Sequence, residues 1–318
     1  MDYLQLIEDL PHQIRDAIKL AQGEKVEGEI QNILITGLGG SGIAANIVET
    51  LLRETKMPVF VNKDSTIPAF VNDKTLVFVS SYSGNTEETL NAFKEVQKKR
   101  AKIICITSGG KLKQIAGDSK VIMIPQGMPP RSAIAYLLFP ALVVLHNLKI
   151  IKLSRDEILK IIDSLHAQEL RKKAEEISVQ LHGKIPLIYS SPQFGAVALR
   201  WKQAINENSK QHAFWNTFSE LNHNEMMAYN TQNKQFNVVI LRDEKDNLRM
   251  QKRIELTKEI IKKQGTPVTE IMLKGDSLLV KIITVIFLGD LTSYHLGIKN
   301  GVDPSETIMI EEFKKKLK

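Results

Sequence analysis

Short apolar runs alternate with amphipathic stretches along this chain. In the first half, predicted strands cover residues 32–36, 58–62, 75–79, 102–107 and 121–124. Each run is followed by polar or glycine-rich residues, and helical patterns lie between several of them. Short buried strands that alternate with helices are typical of a parallel sheet covered by helices on both faces. The pattern therefore predicts a doubly wound α/β fold.

The alternation pauses and then begins again. A charged helical segment runs from about Ser154 to Leu181, and a second series of predicted elements starts at Lys184. Its strands cover 185–189, 236–241 and 268–273, and its helices cover 196–203, 249–264 and 278–294. We predict two doubly wound parallel-sheet subdomains in tandem, as residues 1–153 and 184–318, joined by a helical segment at 154–183.

A serine-rich loop follows the strand at 75–79. It places the hydroxyl groups of Ser81, Ser83 and Thr86 just before a helix predicted from Thr89. The first N–H groups of a helix have no intrahelical partner and lie at the positive end of its dipole, which suits an anion. Uncharged hydroxyl donors favour the phosphate of a small metabolite, because a nucleotide site usually adds a lysine loop and a magnesium ligand.

A glycine loop, Gly37-Leu38-Gly39-Gly40-Ser41-Gly42, follows the first strand and precedes a helix predicted from Ile43. The glycines permit a tight turn and close packing of strand on helix. Their spacing also matches the dinucleotide fingerprint, with Asp64 as the candidate ribose ligand after the second strand. The spacing leaves both interpretations open.

Composition narrows the class of protein. The chain has 318 residues, of which 43% are hydrophobic and 25% charged, as in soluble globular proteins of two domains. The N-terminus has no signal-peptide pattern, and the longest apolar segments, 134–148 and 280–298, are interrupted by proline or charged residues. We expect a cytoplasmic protein that does not bind a membrane.

The net charge of +7 permits a nucleic-acid partner. However, the lysines fall on predicted polar helix faces and in the tail, without interleaved aromatic residues. We expect no nucleic-acid partner, and a basic surface that attracts an anionic substrate.

We expect the lone cysteine and the two tryptophans to have structural rather than catalytic roles. Cys105 lies inside an apolar run and can form no internal disulfide, so we expect a small core residue. Trp201 and Trp215 are expected to be core or interface anchors.

Four further segments narrow the function: Pro129-Pro130-Arg131, Asn206-Glu207-Asn208-Ser209-Lys210, Leu221-Asn222-His223-Asn224-Glu225 and Gly301-Val302-Asp303-Pro304. The glycine and serine loops resemble those of sugar isomerase (SIS) domains. Together with the four segments, they resemble the bifunctional phosphoglucose/phosphomannose isomerase family of archaea and some bacteria, over nearly the whole chain. The resemblance implies two flavodoxin-like SIS subdomains.

The resemblance also implies an aldose–ketose isomerase that needs no metal and no cofactor. Such an enzyme interconverts glucose 6-phosphate and mannose 6-phosphate with fructose 6-phosphate through an enediolate. A homodimer is implied, with the active site at the interface and His223 supplied by the partner chain.

Matching motif positions assigns the roles residue by residue. Arg131 would stabilise the enediolate, Glu207 would be the base and His223 would open the sugar ring. Lys314 would be a further catalytic residue at the C-terminal end. The substrate-binding positions would be Gly40, Ser41, Ser81, Ser83, Thr86 and Thr307. Ser305-Glu306 departs from the small or apolar residues that usually follow Asp303-Pro304 in the family.

The chemistry of the residues fits this interpretation. An aldose–ketose isomerase needs a carboxylate base, donors for the enediolate oxygen and an acid–base group for ring opening. Glu207 lies between Asn206 and Asn208, whose amides could orient it or contact sugar hydroxyls. His223 lies in a polar segment, which suits a titrating group.

Several alternatives remain. Zinc held by His212 and His223 with Glu220 or Glu225 matches no compact ligand motif. Glu207 could be an ordinary helix carboxylate and Arg131 a solvent-exposed loop residue. The chain could isomerise another sugar phosphate, sense a sugar phosphate without turnover, or act as a nicotinamide oxidoreductase.

Overall fold

The structure is a computed structural model that describes residues 2–231 and 234–317. The chain divides into two compact units: Asp9–Leu159, here called the phosphate-loop unit, and Met1–Glu8 with Lys160–Lys318, here called the Glu207 unit. The first eight residues and most of the connecting helical segment group with the C-terminal half. The domain boundaries as such stay a prediction.

The phosphate-loop unit contains a five-stranded parallel sheet in the order β2-β1-β3-β4-β5. Its strands are β1 (Asn32–Thr36), β2 (Val59–Asn62), β3 (Thr75–Ser80), β4 (Lys102–Thr107) and β5 (Lys120–Met123). Its helices are α2 (Leu10–Leu20), α3 (Gly39–Leu52), α4 (Glu87–Lys98), α5 (Gly110–Ile115) and α6 (Ile134–Asn147). This strand order is flavodoxin-like, and it confirms the predicted fold class.

The central strands of this sheet are buried. Residues Ile33 to Thr36 pair in register with Leu76 to Val79, and β3 is buried along its whole length. Strands buried on both faces read as continuous apolar runs, which is why the sequence located them. Cys105 is fully buried in this core, and burial raises the pKa of its thiol to about 12. The predicted structural role of Cys105 is confirmed.

The Glu207 unit contains a four-stranded parallel sheet in the order β7-β6-β8-β9. Its strands are β6 (Ile185–Ser190), β7 (Phe214–Thr217), β8 (Phe236–Arg242) and β9 (Val268–Met272). Its helices are α1 (Tyr3–Glu8), α8 (Gln168–Leu181), α9 (Gly195–Asn208), α10 (Leu248–Lys263), α11 (Leu278–Lys299) and α12 (Ile308–Lys316). Helix α7 (Arg155–Leu165) crosses the boundary between the units in sequence.

The edge strand β7 was not predicted. Its first two residues, Phe214 and Trp215, are 52% and 39% exposed, so Trp215 is not a core residue of this chain. Trp201 is fully buried, and its indole N–H donates to the Val285 carbonyl oxygen at 2.8 Å. The core assignment of Trp201 is therefore confirmed.

Helix α11 is, among the described residues, the only helix long and apolar enough to cross a membrane. Within its most apolar window, 83% of the residues are buried inside the structure. It packs mainly against α8 and α9, as expected of a core helix.

Candidate active site

The glycine and serine loops lie side by side in the phosphate-loop unit. They follow β1 and β3, which are neighbours in the sheet although β2 lies between them in sequence. A Cβ atom added to Gly37 would lie 2.8 Å from the carbonyl oxygen of Ser80, so the two loops touch where they leave the sheet. This is the topological switch point, where open α/β sheets bind their ligands.

Both loops lead into helices whose first N–H groups donate to no capping side chain. The N-cap of α3 is Leu38, which has no polar side chain, and Gly39 adopts a left-handed φ of +54°. The N-cap of α4 is Thr86, whose hydroxyl makes no capping bond. Two uncapped helix N-termini at one sheet edge form a site suited to an anion.

The hydroxyl groups of the serine loop lie at the start of α4. Ser81 Oγ and Thr86 Oγ1 are 3.1 Å apart, and Ser81 is buried. Ser83 is exposed, and its Oγ accepts a bond from the backbone N–H of Asn85 at 3.2 Å. Because one of the Ser81 and Thr86 hydroxyls donates to the other, the proton of the second hydroxyl and that of Ser83 can be directed to a phosphate oxygen.

A second glycine pair, Gly109-Gly110, supports the serine loop from the end of β4. A Cβ on Gly84 would lie 1.8 Å from the Gly109 carbonyl oxygen, and a Cβ on Gly110 would lie 2.3 Å from that of Ser83. Gly84 and Gly110 also have left-handed φ values of +65° and +67°. Sequence reasoning missed this support, although a Gly-Gly dipeptide directly after a predicted strand was the available signal.

Arg131 lies beside these loops. It occupies a 3₁₀ turn, Pro130–Ser132, and is only 3% exposed, so the solvent-exposed alternative is wrong. A Cβ on Gly40 would lie 2.7 Å from the Pro130 carbonyl oxygen, and Met128 N–H donates to the Tyr82 hydroxyl at 2.9 Å. The predicted residues Gly40, Ser41, Ser81, Ser83, Thr86 and Arg131 thus lie on segments that pack together.

Glu207 lies in the last turn of α9, which continues beyond the predicted end at Gln203. The Asn208 amide is buried, accepting from the Tyr3 hydroxyl at 2.8 Å and donating to Ser293 Oγ at 2.9 Å. Asn206 Nδ2 donates to the Gln211 carbonyl oxygen at 2.8 Å. The two asparagines therefore hold the end of the helix that carries Glu207.

A buried ion pair lies two helical turns before Glu207. The Arg200 guanidinium donates to Asp290 Oδ2 at 2.8 Å, and both side chains are at least nine-tenths buried. Burial alone would lower the pKa of Arg200, but the charges of Asp290 and, more weakly, Glu207 raise it above its usual range. Arg200 therefore stays cationic, and its charge attracts the Glu207 carboxylate.

His223 is exposed at the end of a 3₁₀ turn, Leu221–His223. Its neighbours are anchored: Asn222 Nδ2 donates to Thr257 Oγ1 at 2.8 Å, and Glu225 accepts from Asn216 Nδ2 at 2.6 Å. Glu225 also accepts from the buried Tyr189 hydroxyl. These contacts fix the segment and leave the His223 imidazole facing solvent.

Both carboxylate oxygens of Glu225 thus accept hydrogen bonds, Oε1 from Tyr189 and Oε2 from Asn216. Over residues 2–231 and 234–317, no group of three or more histidine, cysteine, aspartate or glutamate side chains is placed to hold a metal ion.

The C-terminal tail carries the last two predicted site residues. Thr307 is the N-cap of α12, and its hydroxyl donates to Glu311 Oε1 at 2.8 Å. Lys314 lies in α12, which has no buried residue. Glu207, His223, Thr307 and Lys314 therefore all belong to the Glu207 unit, while the phosphate loops and Arg131 belong to the other.

Comparison with known proteins decides the family. Residues 29–148 match the SIS domain model, and residues 170–317 match the model of the bacterial phospho-glucose isomerase C-terminal SIS domain. The chain is 38% identical to a bifunctional phosphoglucose/phosphomannose isomerase of Caldicellulosiruptor bescii, over 98% of this chain and 97% of that protein. The chain belongs to this isomerase family.

Two further comparisons were found, one of which bears on the family and one on the fold. A bifunctional phosphoglucose/phosphomannose isomerase of Thermoplasma volcanium is also 38% identical, over 96% of this chain and 97% of the relative. The C-terminal domain of glucosamine-fructose-6-phosphate aminotransferase from Francisella tularensis has a TM-score of 0.73 at 19% identity. The superposition covers 96% of this chain and 97% of the aminotransferase domain, which shows that the two share a fold.

Proposed function

We propose that this isomerase-family chain interconverts glucose 6-phosphate and mannose 6-phosphate with fructose 6-phosphate. One observation carries the proposal most directly: two uncapped helix N-termini and a cluster of neutral hydroxyl groups lie at one switch point. That arrangement fits the phosphate of a small sugar. It also explains the glycine spacing without a dinucleotide.

The remaining site residues supply the chemistry of isomerisation. His223 protonates the ring oxygen and takes the proton of the anomeric hydroxyl, which gives the open-chain sugar. Glu207 then removes the proton from C2 of the aldose, which leaves the negative charge on O1. The proton of the 2-hydroxyl passes to O1, and Glu207 returns the carbon-bound proton to C1, so that C2 becomes the carbonyl carbon. Arg131 stabilises the negative oxygen between these steps, and its burial strengthens that interaction.

Thr307 and Lys314 are proposed to contact the sugar from the tail. The Thr307 hydroxyl already donates to Glu311, so it would act toward the sugar as an acceptor. We further propose a cytoplasmic homodimer in which His223 serves the active site of the partner chain. The exposed His223, held on an anchored segment, supports that arrangement.

The reaction itself tests the proposal. Purified protein is incubated with fructose 6-phosphate, and the products are separated, with and without a chelator. Glucose 6-phosphate and mannose 6-phosphate should both form, and the chelator should change the rate of neither. Turnover of a different sugar phosphate alone would identify another isomerase, and saturable binding without turnover would identify a regulator.

A further inference from the structure

Lys210 lies just beyond the helix that carries Glu207. Helix α9 ends at Asn208, and Lys210 follows in a left-handed backbone conformation with φ of +51°. Its Nζ donates to the carbonyl oxygens of Glu207 at 2.8 Å, Asp303 at 2.7 Å and Glu306 at 2.9 Å. An ammonium group has three protons, so these three bonds match its donor capacity.

The three acceptors come from two places that are distant in sequence. The Glu207 carbonyl is one of the last four of α9, which lack intrahelical partners, and a cation there also complements the helix dipole. Asp303 and Glu306 form the turn immediately before Thr307. One side chain therefore connects the backbone of Glu207 with the segment that leads into the tail.

The tail depends on this turn for its position. Helix α12 buries none of its residues, whereas Pro304 within the turn is buried. A Cβ on Gly297 would lie 3.1 Å from Pro304 Cγ and 2.5 Å from the Asn208 carbonyl oxygen, so the turn packs closely on the ends of α9 and α11. Contacts made by the turn itself must then orient Thr307 and the start of α12.

We propose that Lys210 is a positioning residue, which holds the end of α9 and the turn before Thr307 in one arrangement. The proposal rests on the proposed function, since it assigns Glu207 and Thr307 to the same active site. Lys210 does not contact the substrate in this scheme. It fixes the separation between the base and the tail, and small errors in such a separation reduce turnover steeply.

The test replaces Lys210 with methionine, which keeps the side-chain length and removes the three donors. We expect kcat for fructose 6-phosphate to fall roughly ten- to a hundredfold, with KM and the melting temperature close to wild type. Hydrogen exchange in the peptide 303–317 should become faster. Lys210→Arg, which keeps donors at the same place, should recover part of kcat and of the tail protection.

Lys184→Met is the matched control. Lys184 Nζ also donates to a backbone carbonyl oxygen of the same unit, that of Lys234 at 2.8 Å, but Lys234 belongs to neither α9 nor the tail. Its kcat and its tail exchange should equal those of wild type. If Lys210→Met does not fold, Lys210→Gln is measured in its place, with the same expectations.

The outcomes separate this proposal from the proposed function. Wild-type kcat with faster tail exchange, or reduced kcat with unchanged tail exchange, would overturn the positioning role. A fall in kcat that is matched by an equal loss for Lys184→Met would also overturn it. If the wild-type protein has no isomerase activity, the proposed function fails instead, and tail exchange still reports whether Lys210 holds the turn.

Discussion

The Glu207 carboxylate lies in the field of a buried cation. Arg200 and Asp290 form an ion pair within the core, and Glu207 adds to the charges that keep Arg200 protonated.

Replacing Glu207 by glutamine keeps its shape and removes the base. We expect kcat to fall at least about a hundredfold, the lower range for loss of a general base. The inhibition constant of inorganic phosphate should stay within error, because the phosphate loops are intact. Measured kcat near that of wild type would exclude Glu207 as the base.

His223→Ala isolates the ring-opening step. Cyclic fructose 6-phosphate should react far more slowly, whereas the enediol step should survive because it needs Glu207 and not the imidazole. That step can be followed with a phosphorylated sugar too short to cyclise, by exchange of its carbon-bound proton with solvent. Equal impairment in both assays would assign His223 to the enediol chemistry or to the fold.

The phosphate hydroxyls are tested by Ser83→Ala combined with Thr86→Ala. Each hydrogen bond to a charged group contributes roughly 1.5–3 kcal/mol, so KM for fructose 6-phosphate should rise by at least about tenfold. Thr66→Ala, at an exposed position in the same unit, serves as the control and should leave KM unchanged. An unaltered KM in the double variant would remove the phosphate from this loop.

At the scale of the elements, the site depends on how loops from neighbouring strands touch. The loops after β1, β3 and β4 meet through glycines, and the 3₁₀ turn with Arg131 packs on Gly40. Such close approaches leave no space for a side chain. Contacts between backbone segments therefore set the shape of the candidate phosphate site and place its hydroxyl groups.

Gly84→Ala should damage this packing beyond the cost of its backbone angle. A left-handed conformation costs an L-residue about 1–2 kcal/mol, and the added methyl group would also collide with the Gly109 carbonyl oxygen, 1.8 Å away. We expect a lower melting temperature together with a strongly raised KM.

Gly117→Ala separates the two effects. Gly117 lies in the same unit and has a similar φ of +57°, but a Cβ atom added there would have no neighbouring atom within 4 Å. It should lower the melting temperature modestly and leave KM unchanged. If Gly84→Ala behaves in the same way, the contact with Gly109 does not shape the phosphate site.

At the scale of the whole molecule, each chain carries one copy of every proposed catalytic residue. The proposed dimer would combine Glu207 of one chain with His223 of the other. In a two-fold symmetric dimer, every such shared site occurs twice. The arrangement can be tested with two variants that are each inactive on cyclic substrate.

Mixing Glu207→Gln and His223→Ala chains under conditions that allow subunit exchange should restore activity. Half of the dimers would be mixed, and one of their two sites would contain both intact residues, so recovery should approach about a quarter of wild-type activity. Re-mixing each variant with itself is the control. No recovery, despite subunit exchange shown by mass spectrometry, would place Glu207 and His223 in the same chain.

The sequence by itself determined the parallel strands other than β7, and the glycine and serine loops that follow them. Strands such as β3 are buried on both faces and must be continuously apolar, and a loop that binds phosphate must carry its own donors. These features depend on residues that are close together in the sequence, so a short stretch of sequence is enough to predict them. The motif segments around Arg131, Glu207 and His223 also identified the family.

Only the tertiary structure decided the features that join distant parts of the chain. Strand β7 exists because it pairs with β6, although its exposed aromatic residues give no apolar run. The Gly109 support for Gly84, the Arg200–Asp290 pair and the three carbonyls around Lys210 likewise join residues far apart in sequence. A local pattern holds no information about such partners, because contact between them arises only when the strands and helices pack.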